Sequence, residues 1–302
     1  MISSRLAIPL LLISASAYAD SRAWSVGKSV IPGGSQIVGG VNAASLRASK
    51  LYETMSPMLW MQAGDAKAQF DLIKSDCNID IIAAIDSIAF GFDANQSGVI
   101  VVALKGTNRK ALEACAQKRG KAADKPVTIT TEGKLTKYVG LSDKTVYLDW
   151  LANDVVAMST SSEDKDVSLK LLGGGVTSDK TLKAPLGKVA TTATMWGVYN
   201  KAEDIGTADA PAHMSLAYGS AVLANGNVDA NVRVVLADDK EATGQVASLT
   251  KQIADMKKAG PPPALAGVIK TLALKSDKNE VAATASMPQD DVFGLIGAAM
   301  KR

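Results

Sequence analysis

The sequence predicts an α+β fold of two tandem related modules, each an antiparallel sheet packed with helices, behind a short export signal. Three observations carry this. Short apolar runs bounded by Gly, Asp, Asn and Ser read as antiparallel strands. A strand hairpin followed by a helix occurs twice, with further short strands after each helix. The 302 residues also exceed what one hydrophobic core usually organises. The modules are drawn at 20–175 and 184–302, with residues 1–19 as the signal peptide.

Export is read from the first residues. Met1-Ile-Ser-Ser-Arg5 supplies one positive charge, Leu6–Ile13 a brief apolar core, and Ala17-Tyr18-Ala19 an A-x-A cleavage site before Asp20. The apolar core is shorter than the roughly 20 residues a membrane span needs. A buried first helix would not require small residues at both 17 and 19. No later stretch reads as a transmembrane segment, so a soluble chain in the periplasm, or secreted, is expected. Cys77 and Cys115 are the only cysteines. In an oxidising compartment an even pair is more often joined than free, so a disulfide is expected, with two buried thiols as the alternative.

In the first module, Ser87–Phe92 and Val99–Leu104 read as strands joined by Asp93-Ala-Asn-Gln-Ser-Gly98, followed by a helix near 108–118. Strands at Lys134–Val139, Thr145–Trp150 and Asp154–Met158 come next, then a helix over 165–172 capped by Ser162. In the second, Met214–Ala224 turns at Asn225-Gly226 into Val228–Leu236, the strongest short hairpin signal in the chain. A helix over 240–258, strands at Val268–Leu274 and Glu280–Ala285, and a helix over 289–302 striped by Val292, Phe293, Ile296 and Met300 complete it. Gln36–Val41 with a helix over 43–61 stands before the first hairpin, and Met195–Tyr199 before the second. Gly173-Gly-Gly175 through Lys183 reads as the boundary. The loops Gly120–Pro126 and Ala259–Pro263 fall at equivalent places, which supports duplication.

Val38-Gly-Gly-Val-Asn42 ahead of Leu46-Arg-Ala-Ser49, Cys77 before the first hairpin, Cys115 in the helix after it, and Thr194-Met-Trp-Gly197 opening the second half form one pattern. It resembles a family of exported bacterial proteins of unknown function with two related α+β repeats. The resemblance implies a fold and an export route, and no activity.

The catalytic and metal-binding signatures are incomplete. Ile37-Val-Gly-Gly40 is like the mature start of trypsin-like proteases, but the His and Ser contexts those enzymes need are missing. His213, the only histidine, is expected to open a strand at a turn. One His and two Cys cannot build an ordinary zinc site. Asp93–Ile100 matches eight positions of an EF-hand loop, but position 12 is Leu104, so a hairpin turn is expected instead. Gly173-Gly-Gly175 lacks the Lys-Ser/Thr of a phosphate loop, and Ser162-Glu-Asp-Lys165 lacks its companion motifs. Asp290-Asp291 is explained by a helix start. Core packing is expected of Trp60, Trp150 and Trp196, with exposure left open for Trp24.

Charge is balanced, at 33 Lys and Arg against 30 Asp and Glu, and interspersed, which offers no footprint for nucleic acid. The expected function is therefore non-catalytic and free of cofactor: binding an envelope protein or a small apolar ligand across the two modules. The rival is a periplasmic hydrolase acting on glycan or peptide through carboxylates that the sequence does not mark.

Overall fold

A computed structural model describes residues 20–62, 64–141, 144–207, 210–261 and 263–292. The signal-peptide residues, Ala17 and Ala19 included, and Phe293, Ile296 and Met300 of the C-terminal stripe lie outside the described residues. The first half contains α1 (Arg22–Gly27), β1 (Ile37–Asn42), α2 (Ala43–Arg47), α3 (Lys50–Gln62), α4 (Asp65–Cys77), α5 (Ile81–Ala84), β2 (Ile85–Phe92), β3 (Gly98–Leu104) and α6 (Arg109–Ala122). It continues with β4 (Thr128–Glu132), β5 (Leu135–Val139), β6 (Val146–Ala152), β7 (Val155–Ser159) and α7 (Lys165–Leu171). After α8 (Lys183–Leu186) come β8 (Met195–Tyr199), β9 (Glu203–Thr207), β10 (Ala210–Ala224), β11 (Asn227–Leu236) and α9 (Asp239–Ala259). The last described elements are α10 (Pro263–Thr271), β12 (Ala273–Asp277) and β13 (Glu280–Pro288).

The fold is α+β, and the strands of both halves join in one antiparallel sheet of 13 strands. The seam is the β1–β8 pair, with Ile37 opposite Tyr199, Gly39 opposite Gly197 and Val41 opposite Met195. Outward from the seam the order is β1-β2-β3-β7-β6-β5-β4 on one side and β8-β10-β11-β13-β12 on the other, with β9 beside β10. Both hairpins lead into a helix by the same cap. Asn108 and Asp238 sit in extended backbone and accept from the third residue on, Ala111 and Glu241, which satisfies a free helical N–H. The turns follow their sequences. Asp93 accepts from the amides of Asn95 and Ser97, and Asn225 and Gly226 both take positive φ, the geometry a two-residue hairpin loop needs.

One sheet face carries the main core. Val38, Ala89, Val99, Val101, Val155, Trp196 and Val198 pack there beneath Trp24, Ile31, Val176 and Leu182. Trp24, for which exposure was left open, is only 4% exposed, its ring edge-on to Trp196 with centroids 4.8 Å apart. The Ser/Gly-rich segment around it folds under the sheet because Gly27 lets the backbone approach Val101 closely. The Gly173–Gly175 stretch is packed against the same segment: Gly33 donates to the carbonyl of Gly174, Pro32 bridges Gly175, and Val176 is fully buried.

Several elements depart from expectation. The helix over 43–61 is two helices, because Ser49 accepts from the amide of Tyr52 and starts a new one. Ser162 does not cap α7. Asp164 does, accepting from Asp166 and Val167, since a carboxylate immediately before the first helical residue is the stronger acceptor. Val268–Leu274 is not a strand. Its first four residues end α10, which Pro263 starts, and β12 begins only at Ala273. His213 lies inside β10 rather than at a turn, opposite Asp204 of β9.

Candidate functional site

The second face of the sheet is apolar but incompletely covered. Residues opposite one another in an antiparallel pair share a face. One cross-strand row therefore runs over nine strands: Met158, Ile100, Phe90, Gly39, Gly197, Gly219, Val232, Ala283 and Leu274. Three successive glycines sit at its middle, where the two halves meet. The ring of Phe90 lies over Gly39, and β11 crowds Gly219 through Asn231 and Val232, while Gly197 stays open. The rows on either side are roofed. Ala242 and Val246 of α9 pack with Tyr199, Ala217 and Val234 on one side. Leu51 and Met55 of α3 and Val268 of α10 join a cluster that includes Ala221 on the other.

Two recesses follow from this arrangement. The seam recess, about 240 Å³, is lined by Ile37, Phe90, Gly197, Tyr199, Ala217, Gly219 and Val232, with Val38, Val198 and Tyr218 around the floor. Its rim residues Ile37 and Val232 are 41% and 44% exposed, large for aliphatic side chains on a sheet. The second recess, about 260 Å³, lies under the short helices and is lined by Ala43, Leu46, Arg47, Tyr52, Ser56, Trp60, Ile82, Ile85 and Ile88. Ile88 and Phe90 are two apart on β2, so both recesses open on the same face. A larger groove, about 910 Å³, follows the polar flank of α9 and is lined mainly by charged and polar groups such as Lys240, Glu241, Gln252 and Asp255.

The sequence-marked residues lie elsewhere. Cys77 and Cys115 are joined, with their Cα atoms 5.6 Å apart. Asp20 is held by Thr191, whose hydroxyl donates to it at 2.5 Å, and by Lys28 at 3.2 Å. His213 is exposed between Glu241 at 3.1 Å and Asp204 at 3.3 Å. The Glu241 hydrogen bond, helped by the charge of Asp204, raises its pKa above the ordinary histidine range. Among the described residues no group of three or more His, Cys, Asp or Glu is placed to hold a metal ion.

Two buried acids stand out, both on the core face and away from the recesses. Glu280 is driven up by burial, but Lys188 at 2.5 Å, Arg233 at 2.9 Å and the Tyr218 hydroxyl at 2.9 Å outweigh this and hold it below the usual carboxylate range. Asp149 is pushed up by burial, partly opposed by Lys134 at 3.9 Å. Two well-separated acids inside packing do not form the facing pair that acid–base hydrolysis uses.

The recess residues were missed in the sequence because those on strands read as ordinary strand residues and those on α2 and α3 as ordinary helix residues. The available signal was the continuous apolar run Val99–Leu104 beside Ile88–Phe92: such strands have two apolar faces, and only one is needed for a core.

No family model and no curated protein matches the sequence. Among solved structures the chain is similar to TP0453. Its crystal form I gives a TM-score of 0.50 at 9% identity, over 90% of this chain and 96% of that one. Crystal form III gives 0.50 at 10%, over 90% and 98%. At such identities the likeness is one of fold alone. Among the described residues no helix is long and apolar enough to cross a membrane.

Proposed function

We propose that this is an exported, non-catalytic binding protein that takes an apolar ligand on the open sheet face where two duplicated modules meet. The single observation behind this is the glycine-floored seam recess between α9 and the α2–α3 helices. Proteins rarely leave contiguous apolar surface open without a use for it, and a concave apolar site of a few hundred Å³ is the size of a small molecule. The buried acids support the non-catalytic reading, since both are engaged on the opposite face. Export is supported by the A-x-A segment and the Cys77–Cys115 bond. It predicts that the chain recovered from the envelope begins at Asp20, which N-terminal sequencing checks.

Duplication, with modules at 20–175 and 184–302, is supported by the matching strand order on either side of the seam and by the matching caps of α6 and α9.

The binding reading is tested at Gly197. A Cβ there meets only the carbonyl of Val38, at 3.5 Å, so Gly197→Ala puts a methyl on the recess floor without a clash. Binding of an environment-sensitive apolar dye should fall at least about tenfold while the melting temperature holds, since about 1.4 kcal/mol is tenfold. Unchanged dye affinity in the folded variant would place binding elsewhere.

A further inference from the structure

We infer that the recess under the short helices binds a small amphipathic carboxylate, an aliphatic or aromatic acid, with Arg47 as its counter-ion. This rests on the reading that the face takes apolar ligands, and adds the ligand's charge. Among the described residues Arg47 is the one charged group lining the recess, beside Leu46, Trp60, Ile82, Ile85 and Ile88. Its guanidinium donates to the carbonyls of Ile85 at 2.7 Å and Ala83 at 3.1 Å. Those bonds use two of five N–H donors and leave the net charge uncompensated. Among the described residues Arg47 meets no carboxylate.

The chain places every other described Arg near an acid: Arg22 with Asp154, Arg109 with Glu113, Arg119 with Asp76 and Arg233 with Glu280. A half-buried cation on an apolar wall therefore has room for an anion, and guanidinium suits the two oxygens of a carboxylate. Tyr52 also lines the recess, and its hydroxyl has no hydrogen-bond partner among the described residues. One cation and one spare hydroxyl match a monoanion better than a phosphate dianion. The volume of about 260 Å³ takes on the order of a dozen non-hydrogen atoms at interior packing density.

The test compares 4-phenylbutanoate with 4-phenylbutan-1-ol, identical apart from the head group, on the chain from Asp20 by calorimetry at pH 7. The acid should bind at least about tenfold more tightly, as a charge-assisted hydrogen bond gives. Arg47→Gln should abolish that ratio while sparing the alcohol, and Tyr52→Phe should cost the acid a few-fold. Should Arg47→Gln fail to fold, Tyr52→Phe and pH decide. The acid's advantage should fade as pH drops through about 4.5, where carboxyls protonate. Equal affinity for acid and alcohol overturns the carboxylate inference and leaves the apolar reading standing. Binding of neither overturns both.

Discussion

Asp149 and Glu280 are both carboxylates on the core face of the sheet, yet their environments drive them in opposite directions. Glu280 has three donors and stays ionised, so its contribution to stability is present at neutral pH and is lost as acid carries it below its ordinary range. Asp149 has one cation 3.9 Å away, and that Lys134 ammonium already donates to the carbonyl of Leu172 at 2.8 Å. Its raised pKa means that folding favours the protonated form. The cost therefore appears as pH rises, once the group must ionise in place. Asp149→Asn removes the charge and keeps the shape. It should stabilise the protein by about 1 kcal/mol at pH 7, and the gain should vanish below about pH 4, where the aspartate is neutral too. Denaturant melts of both proteins at pH 7 and pH 3.5 check this, and a gain that persists in acid would assign the effect to something other than ionisation.

At the scale of elements, α4 is held mainly at its C-terminal end. Its side chains cover almost nothing, with Leu72 45% exposed. It is attached by the Cys77–Cys115 bond to α6, by Arg119 to Asp76 and by the edge of Phe70 against Trp60. α6 itself is anchored over β5 and β6 by Glu113, which accepts from the Tyr138 hydroxyl, and by Arg109 over the Trp150 ring. Breaking the disulfide releases a loop spanning 38 positions, about 4 kcal/mol in the chain-entropy model. Cys77→Ser with Cys115→Ser should therefore lower the melting temperature and raise hydrogen exchange over 65–77 before the sheet. Unchanged exchange in that segment would contradict it. This weak attachment is also why α4 was illegible. Asp65–Cys77 is largely polar, without the stripe that marks a buried helix, whereas Val246, Leu249, Ile253 and Met256 announced α9 directly. Both hairpins and the strands β5 to β7 were legible because turn residues bound their apolar runs. The seam was not, since the opposed glycines Gly39 and Gly197 are 158 positions apart in sequence, and no local pattern encodes which edges meet.

At the scale of the whole molecule, each half supplies what the other lacks. β1 is covered on one edge by β2 and on the other by β8, and β8 in turn by β1 and β10. Trp24 of the first half packs on Trp196 of the second, inside a single core cluster. If the halves are copies, duplication joined two units along equivalent first strands, and neither is expected to stand alone as a monomer. A separated 20–175 fragment would expose the backbone donors and acceptors of β1 along one edge, a template for strand pairing. Because β1 meets β8 antiparallel with glycine opposite glycine, a second copy of β1 can take the place of β8 in the same register. The fragment should therefore run as a dimer or larger assembly, and adding 184–302 should convert it to a one-to-one complex with the apolar face restored. Light scattering of the fragment, alone and mixed, reads this directly. A monomeric 20–175 that unfolds cooperatively by itself would mean that the seam joins two independent domains rather than completing one sheet.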